Sequence, residues 1–115
     1  MIARCLSICL ALLLFAAGCG RAQGLVESGF RIPMKEAGVL GLEAVMVRPD
    51  EPGPHPLALL THGTPREASE RPGMSPWQLL PQAREFARRG WTAVIVMRRG
   101  YGESGGDFVE DARAC

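Results

Sequence analysis

The chain opens on thirteen residues, Cys5 to Ala17, that are apolar except for Ser7, with Arg4 the only charge before them. A positive start, a short apolar run and small residues after it form the pattern of a secretory signal peptide. The run is too short to span a bilayer comfortably. Beyond it the period of the pattern changes several times. Val26 to Met34 alternates and predicts a strand, with Pro33 placing it at a sheet edge. Lys35-Glu36-Ala37-Gly38 predicts a turn, and the β-branched and apolar run Val39 to Arg48 predicts a second, antiparallel strand. Four prolines between Pro49 and Pro56 exclude helix and central strand there. Leu57 to Thr61 (LALLT) is a continuous apolar run, the pattern of a strand buried on both faces.

His62 to Met74 is polar and reads as a loop. Ser75-Pro76 then offers a capping hydroxyl and a first-turn proline, and Leu79, Leu80, Ala83, Phe86 and Ala87 recur on one helical face. Pro81 removes a hydrogen bond inside that span, so the regular helix is expected to begin there. Arg88-Arg89-Gly90 suits a helix end, and Trp91 to Met97 is a second apolar strand. Strand, helix and strand within about 40 residues make a βαβ unit with parallel strands. The predicted architecture is α/β: an antiparallel hairpin leading into a parallel sheet, with four strands and one helix. One helix cannot cover both faces of such a sheet, which leaves apolar area open to water. The expectation is therefore the front portion of a longer protein.

Composition narrows the classes. The 115 residues carry 13 Lys+Arg and 12 Asp+Glu, a net charge of +1, so no basic field favours nucleic acid. Apolar residues make up 47%, too many for a disordered chain. Gly20-Arg21-Ala22 puts small residues where a signal peptidase reads, and cleavage after Ala22 leaves 23–115 as the mature domain. Ala16-Ala17-Gly18-Cys19 also resembles the lipobox of bacterial lipoproteins, in which a lipid on Cys19 gives the only membrane contact. Either route exports the protein to a periplasmic, secreted or lipid-anchored location. Cys5 and Cys9 leave with the signal and Cys115 is the last residue, so no internal disulfide pair remains. His55 and His62 are the only histidines, with no cysteine near them, and no metal spacing appears.

Arg98 to Phe108 reads RRGYGESGGDF and fits more than one pattern. Gly102-Glu103-Ser104-Gly105-Gly106 matches G-x-S-x-G and makes Ser104 a nucleophile candidate. That elbow, however, needs its serine directly at a strand end, with Asp or Glu and then His later in the chain. Here Arg98 to Tyr101 intervene after the strand, and no histidine follows Ser104. Gly100-x-Gly102-x-x-Gly105 matches the dinucleotide fingerprint, which should instead open the helix of a first βαβ unit. Arg98-Arg99 reads as a solvated strand end, Tyr101 as a pocket-mouth residue, Phe86 and Trp91 as core, and His55 as a loop residue.

Two segments together resemble the N-terminal half of the α/β hydrolases, close to the dienelactone hydrolase and prolyl oligopeptidase-like peptidase and esterase branches. These are LALLTHGTP (Leu57 to Pro65) and VIVMRRGYGESGG (Val94 to Gly106), and the likeness runs from about Val39 to Asp107. The resemblance implies a serine hydrolase acting on a small ester, lactone or peptide substrate, without cofactor. It implies that the Thr64 N–H is one oxyanion donor, that Gly63 lets the chain turn and approach closely, and that His62 braces the loop rather than serving as base. It also implies that Ser104 is not the nucleophile, which would lie on a later strand, so that nucleophile, acid and base are missing from these 115 residues. The alternatives are a non-catalytic exported domain or lipoprotein that binds a partner at its sheet edge, and a nucleotide-binding domain using Gly100 to Gly105.

Overall fold

A computed structural model describes residues 24–110. The signal segment 1–22, Cys19 and Cys115 lie outside the described residues. The elements are β1 (Leu25–Ile32), β2 (Leu42–Pro49), β3 (Leu57–Thr61), α1 (Leu80–Arg88) and β4 (Thr92–Val96), with short 3₁₀ segments at Lys35–Leu40, Ala68–Gly73 and Pro76–Leu79. They form one four-stranded mixed sheet in the order β1-β2-β4-β3. β1 and β2 pair antiparallel, with Leu25 opposite Pro49 and Ile32 opposite Leu42. β4 lies between β2, to which it is antiparallel, and β3, to which it is parallel. A parallel pair needs a crossover, and the segment containing α1 supplies it.

The helix begins as its sequence dictates. Ser75 caps the turn Pro76–Leu79 in a capping box with Gln78, and Pro81 falls in the first turn of α1, where its missing N–H costs nothing. Ala83 and Ala87 bring the helix close to the sheet and pack with Val45, Val47, Ala58, Ala93 and Ile95 in the core. Leu79 and Leu80 seal the rim of that cluster. Phe86 and Trp91 sit at its margin instead, each 38% exposed, edge to face with ring centroids 6.1 Å apart.

The helix covers one face only, and this corrects the expected burial of β3. Leu57 and Leu59 are 64% and 65% exposed, while Ala58 between them is buried. Among the described residues β3 is the outer strand and no element packs on its second face, so its apolar run alternates in burial. The bare face continues inward, since the cross-strand row Ser28–Met46–Val94–Leu59 lies on it. The second strand also starts later than its apolar run. Val39 and Leu40 lie in the turn Lys35–Leu40, and Gly38 and Gly41, with φ of 62° and 60°, break the chain on either side.

A fork from Arg84 ties α1 to β1. Its Nε and Nη2 donate to the two carboxylate oxygens of Glu27 at 2.5 and 3.1 Å. The hydrogen bond from Arg84 holds the Glu27 carboxyl below the ordinary glutamate range, against the opposing effect of desolvation and with some help from the Arg84 charge. A lowered carboxyl pKa contributes stability that is present above the ordinary glutamate pKa and lost as pH falls through the lowered one. Glu27→Gln is therefore expected to lower Tm by roughly 2–4 °C at neutral pH and low salt. Melts repeated toward pH 3, or in 1 M salt, should bring the two proteins together. A gap that survives both conditions would show that charge is not its cause.

Candidate functional site

Because β3 and β4 run parallel, with Thr61 opposite Val96, the segments that follow them leave the same end of the sheet side by side. The carboxyl ends of parallel strands are where open α/β sheets place their ligands. His62 makes the first link between the two segments. Its Nε2 accepts the Arg98 backbone N–H at 3.2 Å. An N–H can only donate, so the ring proton sits on Nδ1, which donates to the Gly63 carbonyl at 2.8 Å. The imidazole also packs on the Tyr101 ring at 4.4 Å between centroids. Both nitrogens of His62 are thus engaged in holding the loop.

Thr64 makes the second link. Its Oγ1 lies 3.0 Å from Tyr101 Oη, receives Arg98 Nη2 at 3.2 Å and points toward Glu110 Oε2 at 3.4 Å. Tyr101 in turn donates to Glu110 Oε2 at 2.8 Å. Glu110 Oε1 stands 2.8 Å from Arg98 Nε, in a contact too bent to be a hydrogen bond and held by charge. By contrast, the Thr64 backbone N–H meets no acceptor among the described residues. Gly63 has neither positive φ nor any neighbour within 4 Å of where a Cβ would stand. The expected turning role of Gly63 is therefore absent, and open space lies beside Thr64.

Ser104 is stitched into the fold. Its hydroxyl donates to the Met97 carbonyl at 2.8 Å and accepts the Glu43 N–H at 2.9 Å, joining the end of β4 to the start of β2. Among the described residues no imidazole or carboxylate reaches Ser104 Oγ. The surrounding glycines serve close packing. A Cβ on Gly105 would strike the Ala37 carbonyl oxygen, and one on Gly102 would come within 2.5 Å of the Met74 carbonyl oxygen. The backbone N–H groups from Tyr101 to Gly105 are all taken, by the carbonyls of Arg98, Arg71, Tyr101 and Gly41 and by the Glu43 carboxylate. A phosphate would find no free donor among these five, which removes most of the cradle that the dinucleotide reading needs.

Tyr101 is fully buried, which corrects its reading as a pocket-mouth residue: the Phe108 ring lies edge-on to it at 5.6 Å and the His62 ring packs against it at 4.4 Å. Glu110 and Glu43, both central to this arrangement, carried no signal in the sequence. His55 is a brace as well, its two ring nitrogens facing the carbonyls of Gly90 and Glu51 at 3.1 and 3.0 Å. Clefts of about 400 and 260 Å³ open elsewhere and one of about 210 Å³ is lined in part by Arg98 and Glu110, but none of the three is lined by His62, Gly63 or Thr64. Among the described residues no group of three or more His, Cys, Asp or Glu is placed to hold a metal ion, and no helix is long and apolar enough to cross a membrane. No protein-family model matches the chain, and no curated protein matches it.

Proposed function

We propose that the chain carries the oxyanion-binding half of an exported serine hydrolase of the α/β-hydrolase type, acting on an ester, lactone or peptide bond. One observation carries the reading. The Thr64 N–H has no acceptor among the described residues, lies at the carboxyl end of a parallel strand pair, and belongs to a loop in which the His62 and Thr64 side chains are tied down. Acyl transfer passes through a tetrahedral intermediate whose oxygen becomes negative, and catalysis needs donors already aimed at that oxygen. A backbone N–H fixed beside open space is such a donor.

The same geometry says what this half does not supply. Both histidines have their ring nitrogens on backbone groups, and the Ser104 proton is held by a carbonyl. The reading therefore requires nucleophile, acid and base from outside residues 1–115. Export rests on the signal pattern of residues 1–22. Expressed from its whole reading frame, the protein is expected to take up a fluorophosphonate on a serine outside residues 1–115. A label mapped to Ser104, or no label at all, overturns the proposal.

The outer edge of β3 favours a second reading, partner binding by strand addition. Leu57 to Thr61 carries no charge, and among the described residues its outer edge is unpaired, with Leu57 and Leu59 exposed. Absence of any label in the same experiment would leave this reading standing.

A further inference from the structure

An oxyanion donor is useful only if it is held still, and Thr64 has little backbone to hold it. It is exposed, its own N–H meets no acceptor among the described residues, and the peptide it shares with Gly63 is held only at the carbonyl, by His62 Nδ1 at 2.8 Å. Its side chain supplies the rest of the hold. The hydroxyl sits in a chain of donors and acceptors in which Tyr101 gives its proton to Glu110, leaving its oxygen to accept from Thr64, while Arg98 Nη2 donates to both hydroxyls, at 3.2 Å to Thr64 and 3.4 Å to Tyr101. The Arg98–Glu110 ion pair closes this ring with its charges balanced. Tyr101 also packs its ring on His62, so one buried side chain grips the loop on both sides of Gly63.

We infer that Tyr101 is a positioning residue that, with Arg98 and Glu110, clamps the Thr64 side chain and so aims the Thr64 N–H. The inference rests on the oxyanion reading for its purpose, but the clamp is testable without turnover. Tyr101→Phe keeps the ring and both aromatic contacts and removes only the hydroxyl. Thr64→Val removes the gripped hydroxyl from an exposed residue, where no core is opened, and Thr64→Ser restores it.

Backbone ¹⁵N relaxation on the whole 115-residue chain reads the outcome. The residue-64 amide is expected to show a rigid order parameter near ~0.85 in the parent and in Thr64→Ser. It should fall below ~0.6 in Tyr101→Phe and Thr64→Val, while the amides of Val45 and Ile95 stay unchanged. A residue-64 amide equally ordered in all four proteins overturns the clamp. So does one equally loose in all four. Loss of order in the two variants, in a protein that takes up no fluorophosphonate from its whole reading frame, upholds the clamp and overturns the donor reading alone.

Discussion

Ser104→Ala is expected to destabilise the domain by roughly 2–4 kcal/mol and to leave fluorophosphonate labelling of the protein from its whole reading frame intact. The first half follows from hydrogen-bond inventory. The hydroxyl is buried, at 8% exposure, and serves the Glu43 N–H and the Met97 carbonyl at once. Removing it leaves both groups without a partner, at about 1–3 kcal/mol for each buried one, and the half-exposed Glu43 N–H belongs near the lower end. Only a hydrogen replaces the hydroxyl, and the gap of one oxygen atom is too small for a water to substitute. That loss is a large share of the few kcal/mol a domain of this size has to give. The second half separates a stitch from a nucleophile, because a nucleophilic serine cannot be removed without losing its label. Chemical denaturation and labelling on the same preparation decide it. Unchanged stability would remove the structural role, and lost label would restore Ser104 as nucleophile.

How far the sequence carried this picture can be seen element by element. LALLT marked β3 to the residue, and Ser75, Pro76 and Pro81 marked the start of the helix, because caps, prolines and apolar runs act locally. The start of β2 was not legible. Val39 and Leu40 look like strand residues, yet Gly105 and Gly106 pack on the backbone of Ala37 and Glu36 and hold that segment in a turn. A contact across some 70 positions leaves no local trace. The bare face of β3 was hidden for a related reason, since an apolar run does not tell whether one face or two will be covered. At the site, the two resembling segments proved to lie side by side because the parallel register of β3 and β4 ends both strands at one edge. Glu110 was invisible: an acid in an irregular stretch becomes meaningful only when Arg98 and Tyr101 meet it in space.

Thr64→Pro carries the largest effect expected on chemistry. Proline removes the backbone N–H and keeps the carbonyl, so the substitution deletes the proposed donor itself rather than a side chain near it. Loss of one preorganised oxyanion donor typically slows turnover by about 10²–10³. The protein expressed from its whole reading frame should show that drop in its rate of acylation by an activated ester. Thr64→Ala keeps the N–H while losing the clamp, and should retain more activity than Thr64→Pro. The comparison matters because both substitutions remove the hydroxyl from Tyr101, Arg98 and Glu110 alike. Their difference reports the N–H together with the φ that proline fixes. Pro65 already follows this position and Thr64 is exposed, so neither change empties the core, and matched melts of the two variants would confirm equal folding. Equal rates in the two variants, with folding matched, would mean that Thr64 donates nothing to the oxyanion. A gap of 10-fold or more in the predicted direction would place the donor on the backbone, where a side-chain scan by alanine does not find it.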